Sequence, residues 1–127
     1  MEILLDTNFI LTCTKQKVDF TEIAESIIDE GIKWIVPQQV LNELGNIKDR
    51  KESSGKDKDA AKLSFELLQQ IAPEIVELKK NPNVDIAIVN YILDTEIVLA
   101  TLDKGLKDRI KNRILTIRGK KHLELIN

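Results

Sequence analysis

Two apolar runs do most to limit how this chain can fold. Ile3-Leu4-Leu5 stands at the start and stops on Asp6; Ile97-Val98-Leu99-Ala100 stands near residue 100 and stops on Thr101-Leu102-Asp103. Neither alternates with polar residues. A short unalternated run suits a strand covered on both faces, the condition of a parallel sheet with helices on either side. Ligands of such sheets bind just beyond the carboxyl ends of the strands. Both acids are therefore expected at an edge where chemistry is done.

The chain between them reads as alternating helices and strands. A helix is expected to begin near Thr7 and run towards Thr14. Asp19 and Glu22 have the spacing of a capping box and open a helix to about Glu30, with Gly31 as its stop. Ile32 to Val36 reads as a strand ended by Pro37, with Trp34 as packing. Pro37 suits the first turn of the next helix, which turns Val40, Leu41 and Leu44 inward and carries Glu43. Residues 48–59 hold no apolar side chain and read as a mobile loop. A longer helix follows, with Ala60, Leu63, Leu67, Leu68 and Ile71 on one face, and then a short strand at 75–78. Asn81-Pro82-Asn83 is a turn, and Asp85 occupies a plausible N-cap of a mostly buried helix through Leu93. After the second apolar run come a basic helix from Lys104 to about Asn112, a strand at 114–117, and a tail. Alternation of this kind predicts an α/β fold with a largely parallel sheet and right-handed crossovers.

At 127 residues the chain is expected to form one domain, spanning 1–127. The single cysteine, Cys13, allows no internal disulfide and favours a cytoplasmic setting. No run nears the ~20 apolar residues that span a bilayer, and Glu2 stands where a signal peptide would be basic. No membrane partner is expected. The net charge of −2 selects no partner, but its distribution is uneven. Between Lys104 and Lys121 eight basic residues face one acid, Asp108, a local charge of +7, which leaves −9 on the rest of the chain. Such asymmetry suits a nucleic-acid binder. A solvated lysine-rich helix face has the same composition.

Four acids stand out by position: Asp6, Glu43, Asp85 and Asp103. Each has an ordinary reading: an Asx-turn for Asp6, an exposed helix residue for Glu43, helix caps for Asp85 and Asp103. Those readings leave unexplained why two apolar strands both end on an acid. Carboxylates gathered without a counter-charge repel one another unless a hard cation joins them. Mg²⁺ and Mn²⁺ take such oxygen ligands, and nucleases use them to activate water and to stabilise charge developing on a phosphate. Rival machinery is missing: there is no glycine-rich phosphate loop, no zinc-type Cys/His set, and only His122 near the C-terminus.

Taken together, Asp6-Thr7-Asn8 after the first apolar run, Pro37 leading to Val40 and Glu43-Leu44, Asp85 with Ile88, and Thr101-x-Asp103-x-x-Leu106 resemble the PIN-domain family. The resemblance runs over nearly the whole chain. It implies a Rossmann-like three-layer α/β/α sandwich around a mainly parallel sheet. It implies a Mg²⁺- or Mn²⁺-dependent endoribonuclease whose catalytic and metal-binding acids are Asp6, Glu43, Asp85 and Asp103, and it is what puts Asp85 in the pocket. Asn8 and Thr101 are implied as polar supports of those acids. RNA is the implied substrate, with Lys104, Lys107, Arg109, Arg118, Lys120 and Lys121 as candidate phosphate contacts. The C-terminal run is most similar to archaeal PIN proteins related to rRNA-processing nucleases, with VapC-type toxins as the other large branch. A homodimer, and an antitoxin or a ribosome-assembly factor, are the implied protein partners. A PIN fold used only to bind RNA or protein is the non-enzymatic alternative.

Overall fold

β1 (Glu2–Leu5) lies inside a six-stranded sheet, and the rest of the chain is arranged about it. It is followed by α1 (Thr7–Lys15), α2 (Phe20–Ile27), β2 (Lys33–Pro37), α3 (Gln38–Asp49), α4 (Gly55–Ile71) and β3 (Glu74–Val76). Then come α5 (Val84–Ile92), β4 (Val98–Ala100), α6 (Lys104–Arg109), β5 (Ile114–Arg118) and β6 (His122–Ile126). The computed structural model describes residues 1–127. The strand order is β3-β2-β1-β4-β5-β6, parallel throughout except for β6, which returns antiparallel to β5. From β1 the chain builds outward through β2 and β3, then crosses to the other side of β1 to lay down β4. The order thus reverses between β1 and β4, and such a switch point leaves a crevice at the carboxyl ends of the two strands.

Successive side chains of a strand point to opposite faces, and here each face has its own core. Ile3 and Leu5 of β1, Trp34 and Val36 of β2, and Val98 and Ala100 of β4 face α1 to α4 in a cluster of 21 buried residues. Leu4, Ile35 and Leu99 face α5 and α6 in a cluster of nine. The deeper face is knit by aromatic rings: Phe9 meets Phe20 edge-on at 5.5 Å, and Phe20 meets Trp34 at 5.3 Å. The three layers are those of an α/β/α sandwich.

Several local expectations are corrected. α2 starts as expected, with Asp19 Oδ1 accepting from the Glu22 amide at 3.2 Å. It ends at Ile27, because Ile28 turns extended and drops into the core. Gly31 is not its stop. The polar stretch 48–59 is largely helical. Ser54 Oγ caps α4 by accepting from the Asp57 amide at 3.0 Å, so only residues 50–54 connect the two helices. The inward face of α4 is Ala60, Ala61, Ser64 and Leu68, while Leu63 is 52% exposed. Asn83, not Asp85, caps α5, accepting from the amides of Asp85 at 2.9 Å and Ile86 at 3.3 Å. α6 stops at Arg109, short of Asn112, whose Nδ2 instead donates to the carbonyls of Ile92, Thr95 and Ile97. The expected tail is β6, turned back by Gly119, whose φ of +67° a residue with a side chain rarely adopts.

Candidate active site

The carboxyl ends of β1 and β4 are adjacent because the strands pair in parallel, Leu5 opposite Ala100. Asp6 continues that ladder by one bond, its amide donating to Ala100 O at 3.0 Å. It is also the N-cap of α1, with Oδ1 accepting from the Thr7 amide at 2.9 Å. Its second oxygen, Oδ2, accepts from Thr101 Oγ1 at 2.8 Å. Thr101 is fully buried, and its Oγ1 accepts from the Asp103 amide at 3.1 Å. One hydroxyl therefore ties the first acid to the backbone of the last.

Asp103 caps α6, with Oδ1 accepting from the amides of Gly105 at 2.8 Å and Leu106 at 3.3 Å. Both bonds use one oxygen, which leaves Oδ2 for other work. Asp85 lies in the first turn of α5, half-buried. Glu43 stands half-buried on α3.

The electrostatics show that these acids feel one another. Asp6 is only 7% exposed. Burial raises its pKa above the ordinary aspartate value, the Thr101 hydroxyl and Thr7 amide pull it part of the way back, and the charges of Asp85 and Asp103 push it up again. Burial likewise raises Glu43, with repulsion from Asp6 and Asp85 added and the Thr7 hydroxyl opposing. No basic side chain relieves either carboxyl. Asp6 feels the charges of Asp85 and Asp103, and Glu43 those of Asp6 and Asp85, but no three acidic, histidine or cysteine side chains stand close enough to grip a single ion together.

The other expected site residues divide. Asn8 sits exposed in the first turn of α1 and bonds to none of the acids. Lys104 follows Asp103 directly, and Lys107 Nζ donates to Thr116 Oγ1 at 3.1 Å. Arg118, Lys120 and Lys121 lie at the β5–β6 turn, at the carboxyl end of β5, the edge the acids occupy. Arg109 does not join them. It lines a cavity of about 340 Å³ with Asp94, Glu96, Lys111 and Arg113, at the amino ends of β4 and β5, the opposite edge of the sheet. Cys13 is buried, and burial pushes its thiol up to about 12, too high for a thiolate nucleophile. The residue that spacing overlooked is Thr7, whose buried Oγ1 has no hydrogen-bond partner. Only its place beside Asp6 could have pointed to it.

The fold and site define a Rossmann-like α/β/α domain with acids at its switch point. This chain belongs to the PIN-like domain family, whose model matches residues 3–120. Among curated proteins it is 27% identical over 128 residues to Ribonuclease VapC4 of Methanocaldococcus jannaschii, covering 98% of this chain and 95% of that protein. Its fold is similar to that of the PIN domain endonuclease Utp24, with a TM-score of 0.78, 22% identity, and coverage of 98% of this chain and 90% of the other. It is also similar to VapBC2 from Rickettsia felis, solved bound to a promoter DNA fragment, with a TM-score of 0.65, 14% identity, and coverage of 93% of this chain and 100% of the other. No helix is long and apolar enough to cross a membrane.

Proposed function

We propose that this protein is a Mg²⁺- or Mn²⁺-dependent endoribonuclease. The observation that carries the reading is Asp6: a buried carboxylate, repelled by Asp85 and Asp103, relieved by no cation of the chain, and held at the switch point by Thr101. The family and the relative named a ribonuclease support it. The donor set also fits a hard divalent ion, being all oxygen, short of positive charge, and bordered by an orphaned hydroxyl on Thr7.

In this reading Asp6 and Asp103 would hold the ion, and Glu43 and Asp85 would complete the pocket or hold the ion's waters. When bound, the ion would supply a hydroxide-like water and stabilise the charge that develops on the phosphate. The chain's own part is orientation. Thr101 fixes the Asp6 carboxylate, and the capping bonds on Oδ1 fix the Asp103 carboxylate. Lys104, Lys107, Arg118, Lys120 and Lys121 would hold RNA phosphates on either side, which gives affinity and register without reading sequence.

Two roles divide the reading. Processing of rRNA is favoured by the resemblance of the C-terminal run, Asp103 to Lys121, to archaeal PIN proteins related to rRNA-processing nucleases. A VapC-type toxin, held by an antitoxin, is favoured by the likeness to VapC4. Growth arrest on expression, relieved by a small partner protein, would select the toxin; otherwise we expect a ribosome-assembly partner. We propose a cytoplasmic homodimer in both cases.

Asp6→Asn tests the reading. Asn caps helices as well as Asp, so the fold should survive while metal-dependent RNA cleavage falls by about 100-fold or more. Cleavage at the wild-type rate by the folded variant would refute the site. A wild-type melting temperature that ignores millimolar Mn²⁺ would instead favour a fold used only for binding, since an ion that binds the native state raises its stability.

A further inference from the structure

Helix α5 is apolar on all sides. After Asp85 no charged residue appears until Asp94. Ala87, Ile88 and Ile92 point into the shallow core. Ile86, Val89 and Leu93 recur at helical spacing on the outer flank, where Ile86 is 39% and Leu93 62% exposed. A helix that is apolar all round belongs in a buried setting, yet here the outer stripe is left open. Seven large apolar side chains are exposed in the protein. Three of them, Ile86, Tyr91 and Leu93, belong to this helix and its C-cap, while the other four are scattered singly over α2, α4, β3 and β6.

The stripe runs into the cavity of about 340 Å³ at the amino ends of β4 and β5, whose apolar wall is Val89, Leu93 and Ile110. Charges of both signs rim it. Asp94 and Glu96 stand on the turn between α5 and β4, and Arg109, Lys111 and Arg113 on the passage from α6 to β5. None of these five takes part in any of the protein's four ion pairs, although they line one cavity. An apolar centre with a polar rim is the anatomy of a protein interface. The rim decides the occupant. A nucleic acid, or a strongly charged protein, selects a surface of one sign, and two acids among three cations disfavour both. A second copy of the same patch requires both signs, because a twofold axis sets the surface against itself.

We infer that two copies of this chain pair across the α5 stripe, with Asp94 and Glu96 of each copy set against Arg109, Lys111 and Arg113 of the other. The inference rests on the homodimer proposed above and gives it a location; neither RNA nor a metal enters it. The location has a consequence for the crevice. Asp85 lies in the first turn of α5 and Asp103 caps α6. The second copy therefore covers the layer that carries these two acids, the one with the smaller core.

Sedimentation velocity on the full chain tests this. Wild type should run as a dimer. The double variant Ile86→Glu with Leu93→Glu should raise the dimer dissociation constant by about 100-fold or more, since each buried charge is met twice across the axis. Ile75→Glu, at an apolar side chain 55% exposed on the edge strand β3, should leave the dimer intact. A charge exchange is sharper. A chain with Arg109→Glu and Lys111→Glu, and a chain with Asp94→Lys and Glu96→Lys, should each run as a monomer, and their equal mixture should form a heterodimer, which only folded chains can do. A wild-type monomer would overturn the inference and the homodimer together. A dimer that survives Ile86→Glu with Leu93→Glu, one that Ile75→Glu breaks, or a charge mixture that stays monomeric would overturn the inference alone and leave the homodimer to another surface. Loss of RNA affinity in Arg109→Glu with Lys111→Glu, the dimer persisting, would overturn it too, by giving the cavity to RNA.

Discussion

On one face of the sheet four helices close over 21 buried residues; on the other, two helices close over nine. The crevice acids are shared between these unequal halves. Asp6 begins α1 and Glu43 rides on α3, both on the deep side. Asp85, in the first turn of α5, and Asp103, the cap of α6, are on the shallow side. α6 has six residues and one buried side chain, Leu106. A six-residue helix is marginal without packing, so Asp103 is held by Leu106 and by its own capping bonds. Half of the site is thus fixed by a large core, and the other half hangs on a small one. Segments with few buried contacts open first, and the shallow half is where adjustment to ion or substrate would be concentrated.

The largest effects should come from cutting each core. Phe20 touches both Phe9 and Trp34, and Phe20→Ala is expected to cost about 3–5 kcal/mol of global stability, read by denaturant unfolding. Leu106→Ala removes less, about 2–3 kcal/mol, and its loss of hydrogen-exchange protection should centre on α6 while the deep face keeps its own. Equal loss of protection on both faces would break the comparison. Thr101→Val comes next. It strips a hydrogen bond from a buried carboxylate, expected to cost about 1–3 kcal/mol, and it should raise the Asp6 pKa further, readable by NMR titration.

The pH response is smaller and has a definite sign. Asp6 and Glu43 have raised pKa values in the folded protein, so the native state holds their protons more tightly than the unfolded chain does. Their contribution to metal-free stability is greatest below about pH 4 and declines as pH rises through the raised values. Asp6→Asn should therefore gain on wild type in melting temperature as pH climbs from about 4 to neutrality; a gap that stays constant would disprove the burial of a charged Asp6. The least effect is expected from Lys107→Met, which should weaken RNA binding modestly and reduce the salt slope by about one.

Much of this was visible in the sequence, for reasons that differ by residue. Ile3-Leu4-Leu5 and Ile97 to Ala100 could be read as buried strands because burial on both faces leaves no room for polar alternation. That their carboxyl ends share one edge was expected from the fold class, and β1 and β4, paired in parallel, do place Asp6 and Asp103 there. His122 to Ile126 was passed over as a tail because its strand character depends on a partner, β5, rather than on local pattern. Residues 48–59 looked like loop for want of apolar side chains, yet Ser54 starts a helix in their midst, and Lys and Glu are good helix formers without burial. The basic run from Lys104 to Lys121 read as one patch along the chain. The fold parts it, because α6 runs away from the edge where the acids lie and carries Arg109 to the far one. Thr7 could have been singled out only by its place beside Asp6, since a missing partner is a property of three-dimensional packing.

Asp6 takes its amide bond from the β1–β4 ladder, one carboxylate bond from Thr101 and the other from the start of α1. Its coordinates are thus surveyed from the sheet, not from the connections that wander between helices. Errors in those connections do not accumulate at the acid. A segment such as 50–54 can lengthen, shorten or change composition while the carboxylate stays put. A fold referenced in this way can drift far in sequence and hold its instrument in calibration.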